Sequence, residues 1–360
     1  MKNNILYLLV IVAISMLAIQ CQYELESIAQ PQKDRFLVFN ADLTETYGRV
    51  SVVYSSEETQ SGKILDAPAL VGTAYVVDGK GNKTLFDMSG KTNTQFKGVV
   101  SEKYQLFVET EGKKFESSVE TMPKCPDIDT ITSGFNVSAN ISASSRLKNG
   151  YDVIVKTKDL TETGNYYQWD WVHYERKRFC GARADPKNRG EIRGLQCLGD
   201  CFFITYNPKL NILSDALVNG KALEIPILRV EYATPPLKYY LQIEQRAITK
   251  NAYNYYQSVV VQTQNNGNQF DVPAQTLFST NIKCTTKPDE KVLGVFNLFS
   301  SRKRILIIDR SILYPGITRI ADQPGYKDYI ISPTEPPFPY PGCGDETRYN
   351  TTVKPEGWVD

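Results

Sequence analysis

The residues best equipped for chemistry are a set of thiols, one imidazole and a pair of indoles. Setting aside Cys21, which closes an apolar run, six cysteines remain: Cys125, Cys180, Cys197, Cys201, Cys284 and Cys343. An even number in an exported chain predicts disulfides. The pairing stays open, although Cys180, Cys197 and Cys201 are near enough in sequence for at least one local bridge. Metal is the competing reading of "CLGDC", because zinc ligands can use that offset, but no second paired-cysteine motif accompanies it. No metal and no cofactor are expected.

His173 is the single histidine, and it lies in "NYYQWDWVHYERKRFC". If that stretch is a strand, Tyr167, Trp169, Trp171 and His173 share one face, while Gln168, Asp170, Val172 and Tyr174 share the other. Two uses of the tryptophans follow. They fill a core, or Trp169 and Trp171 form an exposed platform on which sugar rings or a peptide stack. A serine hydrolase would rest wholly on His173 as its base. No motif holds two carboxylates at a glycosidase separation, and "DGKGNK" reads as a hairpin turn rather than a phosphate loop. No catalytic residues are expected, and the chain is read as a binding protein rather than an enzyme.

Cys21 has a different context. Lys2 is followed by an apolar block from Ile5 to Ile19, broken only by Tyr7 and Ser15, and Ala18-Ile19-Gln20 leads directly into Cys21. A bilayer span takes roughly 20 apolar residues, so this block fits the core of a secretory signal instead. The junction resembles a bacterial lipobox, in which the cysteine is acylated and becomes the first mature residue. The expectation is a lipoprotein signal peptide over 1–20 and lipidation at Cys21.

The elements that must position these groups read as mainly β. Tyrosine is abundant, with 22 residues, and glycine and proline punctuate the chain. A net charge of +1 gives no electrostatic reason to expect nucleic acid. Residues 21–33 form a polar tether. Over 34–122, "RFLVFNADL" and "RVSVVYSS" alternate as half-buried strands do, and turns at Asp78-Gly79 and Glu111-Gly112 predict two hairpins. Strands at this spacing predict an immunoglobulin-like sandwich. Pro123 and Pro126 mark a boundary, after which 123–315 predicts a larger β-rich domain with one main helix, "KNAYNYYQSVVVQTQNN", capped by Thr249. Within it, 181–200 reads as a long polar loop, and "EKVLGVFNLFSSRKRILIIDRS" as two strands joined at Ser300 to Arg304. Residues 316–360 form a proline-rich C-terminal segment.

Four stretches, "FESSVETMP", "LNILSDALVNGKALEIPIL", "YLQIEQRAITKNAYNYYQ" and "VLGVFNLFSSRKRILIIDRS", resemble successive signatures of a Bacteroidota outer-membrane lipoprotein family, domain of unknown function 4249 (DUF4249). The resemblance runs from about Cys21 to Ser311. It implies a lipid anchor in the outer membrane and association with a TonB-dependent β-barrel transporter, and it carries no catalytic residue set. The expected function is therefore a lipid-anchored accessory lipoprotein, a non-catalytic binding subunit of such a transporter in nutrient uptake. The alternative is a stand-alone carbohydrate- or peptide-binding lipoprotein of the cell envelope. Two acidic side chains in "QYELE", after Cys21, tilt the expected location toward the cell surface over the periplasmic face.

Overall fold

The computed structural model describes residues 36–55, 70–137, 149–184, 192–231, 238–263, 277–310 and 350–359, with backbone alone at 137 and 149, over 177–184 and 192–200, and at 231. The signal over 1–20, the tether over 21–33, the lipidation site Cys21, and Cys343 with most of the proline-rich segment lie outside the described residues.

Period-two alternation builds the first strands. In β1 (Leu37–Thr44), Leu37, Phe39, Ala41 and Leu43 all point inward, and β2 (Gly48–Tyr54) buries Val50 and Val52. The turn between them is held by one side chain, since Thr44 Oγ1 accepts from the backbone N–H of both Thr46 and Tyr47 at 3.0 Å. β3 (Gly72–Asp78) and β4 (Lys83–Phe86) form the first predicted hairpin. The Asp78 carboxylate accepts from the backbone N–H of Lys80 and Asn82, each at 2.9 Å, and Gly81 takes the positive φ the turn requires. β5 (Ser89–Asn93) follows, and then β6 (Lys103–Thr110) and β7 (Lys113–Ser117) meet through Glu111 and Gly112, both at positive φ. This second hairpin also matches its local turn signal.

Beyond the short β8 (Glu120–Thr121) come β9 (Ile128–Val137), β10 (Asn149–Lys158), β11 (Tyr166–Ala184), β12 (Ile192–Tyr206) and β13 (Asn211–Ser214). A short 3₁₀ turn, β14 (Ala222–Glu231) and β15 (Lys238–Ile248) lead to the helix α1 (Lys250–Thr263), followed by β16 (Ile282–Cys284), β17 (Leu293–Asp309) and β18 (Asn350–Thr351). Thr249 caps α1 as expected, its Oγ1 accepting from the Ala252 N–H at 3.3 Å.

Among the described residues these strands make three sheets. One is nine-stranded, in the order β18-β12-β11-β15-β17-β1-β2-β5, with β13 also on β11. The second is β14-β10-β9, and the third is β16-β7-β6-β3-β4 with β8 on β6. The strands on either side of Met122 thus share a sheet, because β1 runs parallel to β17, pairing Val38 with Leu293 through to Thr44 with Phe299. Each face of this sheet is covered differently. Inward-pointing Trp169, Trp171, Leu241 and Ile243 meet Tyr151, Val153, Val155 and Val230 of the three-stranded sheet in one core, and further along Phe39 of β1 meets Phe115 of β7 with ring centroids 5.1 Å apart. On the opposite face α1 seals Ile248, Val295 and Phe299 under Ala252 and its tyrosines.

Two expectations about elements are corrected. Ser300 to Arg304 is no turn: β17 is a single strand of 17 residues, paired to β15 throughout 299–309. Its polar centre is satisfied by tertiary partners, since Ser300 Oγ donates to the Pro123 carbonyl at 2.6 Å and Arg302 reaches Asp127 at 2.8 Å and Glu45 at 3.3 Å. The stretch 181–200 is no simple loop either, because β11 and β12 stay paired out to Ala184 and Ile192. Residues 185–191 lie outside the described residues.

Candidate functional site

The indole platform is overturned. Trp169 is 1 % and Trp171 9 % exposed, so neither ring offers a face to a ligand. β11 lies between β12 and β15, and its Tyr167, Trp169 and Trp171 side chains are committed to the core. The Trp169 indole N–H donates to Gln245 Oε1 at 2.9 Å, and the amide of Gln245 in turn donates to the Pro126 carbonyl at 2.8 Å and to Thr157 Oγ1 at 3.3 Å. Gln245 is wholly buried.

His173 is half-buried on the same face, its ring stacked on Tyr239 at 3.7 Å with an interplanar angle of 3°. Because its Nδ1 lies 2.8 Å from the Tyr240 carbonyl, that nitrogen carries the proton. Burial lowers its pKa from the usual value, against the opposing pull of that carbonyl and of Glu175. Its geometry is that of a structural histidine.

The cysteines divide. Cys201 is disulfide-bonded, and the backbone of Cys180 pairs opposite Cys197 across β11 and β12. Cys125 and Cys284, expected as bridge partners, are instead free and buried. The Cys125 thiol lies against the Gln245 and Pro126 carbonyls, and burial pushes its pKa up to about 12. Cys284 sits on β16, with Thr286 Oγ1 3.4 Å from its sulfur. Among the described residues, no group of three or more His, Cys, Asp or Glu side chains is placed to hold a metal ion.

A cleft of about 370 Å³ opens on the helix-bearing face of the large sheet. Strands β1 and β2 supply Asn40, Asp42, Arg49 and Ser51, β5 supplies Gly90, β17 supplies Val295, and α1 supplies Tyr255 and Tyr256. Its electrostatic centre is an ion pair, Arg49 Nη2 to Asp42 Oδ2 at 2.7 Å. The hydrogen bond that Arg49 donates to Asp42 raises the Arg49 pKa. Asn297, paired with Asp42 in register, directs its amide nitrogen at Asp42 Oδ1 (3.4 Å) and the Tyr256 hydroxyl (3.3 Å). A carboxylate only accepts, so the nitrogen must face it, and Asn297 Oδ1 is left buried with no donor. Burial, and then the Asp42 charge, raise the Tyr256 pKa, keeping that hydroxyl protonated.

A second charged cluster lies on the same face. Arg246 bonds Glu244 at 2.5 Å, approaches Asp170 at 3.4 Å and sits 4.9 Å over the Phe299 ring. Burial opposes the guanidinium charge, but Glu244 and Asp170 outweigh it and raise the pKa. The strand alternation runs unbroken through the registers of β11, β15, β17 and β1, which places His173 on the face opposite Asp42 and Arg49.

None of the cleft residues was read from sequence as part of a site; Tyr256 was placed only on the helix face it shares with Ala252. Asn40 and Asp42 share a face by their two-residue spacing, and Tyr255 and Tyr256 are consecutive in α1. What joins them is the pairing of Asp42 with Asn297, 255 positions later.

A family model described as Domain of unknown function (DUF4249) matches residues 22–305. The chain belongs to the DUF4249 family. Comparison with curated proteins and with solved structures finds no match. The DUF4249 match takes in every residue of the cleft and ends inside β17. Among the described residues of this DUF4249 chain, no helix is long and apolar enough to cross a membrane.

Proposed function

We propose that this DUF4249 protein is an acylated outer-membrane lipoprotein, displayed toward the cell surface, that serves as a non-catalytic binding subunit of a TonB-dependent β-barrel transporter. The observation that carries the proposal is the apolar run ending at Cys21, followed by a polar stretch before β1. Each buried lipid methylene contributes about 0.8 kcal/mol, so a multiply acylated cysteine holds a folded domain at a bilayer without a spanning helix. The transporter partner rests on the family resemblance. A binding role is supported by the cleft, whose charged groups, Arg49 and Asp42, are tied to each other in an ion pair rather than poised for proton transfer. The lone histidine lies on the opposite face of the sheet.

Intact-mass analysis of the detergent-extracted native protein tests the anchor. The expected result is a chain beginning at Cys21 and carrying fatty acyl groups, with Cys21→Ser leaving it unacylated and released from the membrane fraction. Affinity isolation from gently solubilised envelope tests the partner, with a large β-barrel expected in the eluate. A free thiol at Cys21 would overturn the anchor, and consistent isolation as a monomer would overturn the transporter assignment.

A further inference from the structure

We infer that the cleft above β1 and β2 binds an uncharged, hydroxyl-rich small molecule of the size of a mono- or disaccharide. The inference rests on the reading of the protein as a binding subunit and gives that subunit its ligand class. Charge balance comes first. Arg49 and Asp42 lie 2.7 Å apart, so a free anion meets the Asp42 carboxylate beside the guanidinium, and a free cation meets the guanidinium beside the carboxylate. A neutral ligand escapes both repulsions.

The polar groups left over point the same way. Arg49 keeps further N–H donors beyond the one given to Asp42, and its side chain is 46 % exposed. Asn40 and Ser51 each donate and accept. Donors and acceptors therefore both line the cleft, as vicinal hydroxyls need, since each hydroxyl both gives and takes a hydrogen bond. On the facing side Tyr255 and Tyr256 line the cleft with ring carbon for C–H groups, and their hydroxyl oxygens already accept hydrogen bonds, from the Asn297 amide for Tyr256 and from the Gly294 backbone for Tyr255. Asp42, Arg49, Asn40 and Ser51 together make their wall of the cleft polar and ill suited to an apolar guest. A volume of about 370 Å³ is at the small end for ligand pockets, which excludes long oligomers from full enclosure.

The test titrates the full-length protein, in detergent, with a panel of neutral methyl glycosides and disaccharides, and in parallel with glucuronate and inorganic phosphate. Saturation-transfer NMR and calorimetry read binding. Expected is saturable binding of at least one neutral sugar, weakened at least tenfold in both Arg49→Ala and Asn40→Leu. Asn40 is exposed, so its variant keeps the wild-type melting temperature even if loss of the ion pair lowers that of Arg49→Ala. Binding of only glucuronate or phosphate, silence across the neutral panel, or neutral-sugar binding unchanged in both variants overturns the inference. A silent cleft in a protein that still copurifies with a barrel removes this inference alone, whereas sugar binding by a chain without an acyl group removes only the envelope reading.

Discussion

Gln245 shows how much one amide can organise. It stands in phase with Ile243 and Ala247, the apolar side of its strand, and holds Trp169, Pro126 and Thr157 together. Gln245→Leu leaves the buried indole N–H without an acceptor and the Pro126 carbonyl without this donor, so a loss of about 2–4 kcal/mol is expected, read as a fall in denaturation midpoint. His173 titrates as a second test. Its folded pKa lies below the ordinary 6.5, so in the window beneath 6.5 the unfolded chain binds more protons. Stability from this group is complete above 6.5 and drains as pH falls toward the folded value; His173→Phe, which keeps the stack on Tyr239, should flatten that part of the stability profile. The free thiols give a third outcome. Cys125, held protonated, should resist alkylation in the native state, and both Cys125 and Cys284 should label on unfolding without reductant. Labelling of neither would restore the disulfide expectation. The face assignment of Trp169 was legible from alternation, and Gln245 was legible in principle as a polar residue in an apolar phase. The cleft was not, because its ion pair and its helix come from segments that carry no local sign of one another.

At the scale of elements, local chemistry decided what could be read. The β3–β4 and β6–β7 hairpins follow from turn residues that tolerate positive φ, and α1 follows from Thr249 and a tyrosine-bearing periodicity. β17 misled because "SSRKR" looks like a solvated tip, while its polar groups are in fact met by Pro123, Asp127 and Glu45 from distant segments. The same strand depends on one glycine. Gly294 opens β17 at φ +90°, and a Cβ there would lie 1.9 Å from the Phe39 carbonyl oxygen, which is backbone and cannot swing away. Gly294→Ala combines a strained φ with that collision, so it should lower stability by roughly 2–4 kcal/mol and loosen the β1–β17 pairing. Faster amide exchange concentrated over Val38 to Thr44 would confirm the location. Unchanged exchange there would show that the β1–β17 pairing accommodates the added methyl group without loosening.

At the scale of the molecule, the parallel pairing of β1 with β17 ties residues near position 40 to residues near 295. Contacts of such sequence separation form only after long loops close, which slows folding and leaves β1 exposed until most of the chain is present. The six-stranded sheet makes the same demand, since β16 pairs with β7 at the Cys284–Phe115 position. The stretch 34–122 on its own would therefore lack a neighbour on β1 and another on β7, presenting two unpaired edges beside apolar side chains such as Phe39 and Phe115. Expressed alone, that fragment should show no cooperative thermal transition and a strong tendency to associate, while a chain that retains β16 and β17 melts in a single sharp step. A cooperative melt of the fragment near the temperature of the full chain would show instead that β1 and β7 are self-sufficient, and that β16 and β17 dock onto a sandwich already formed.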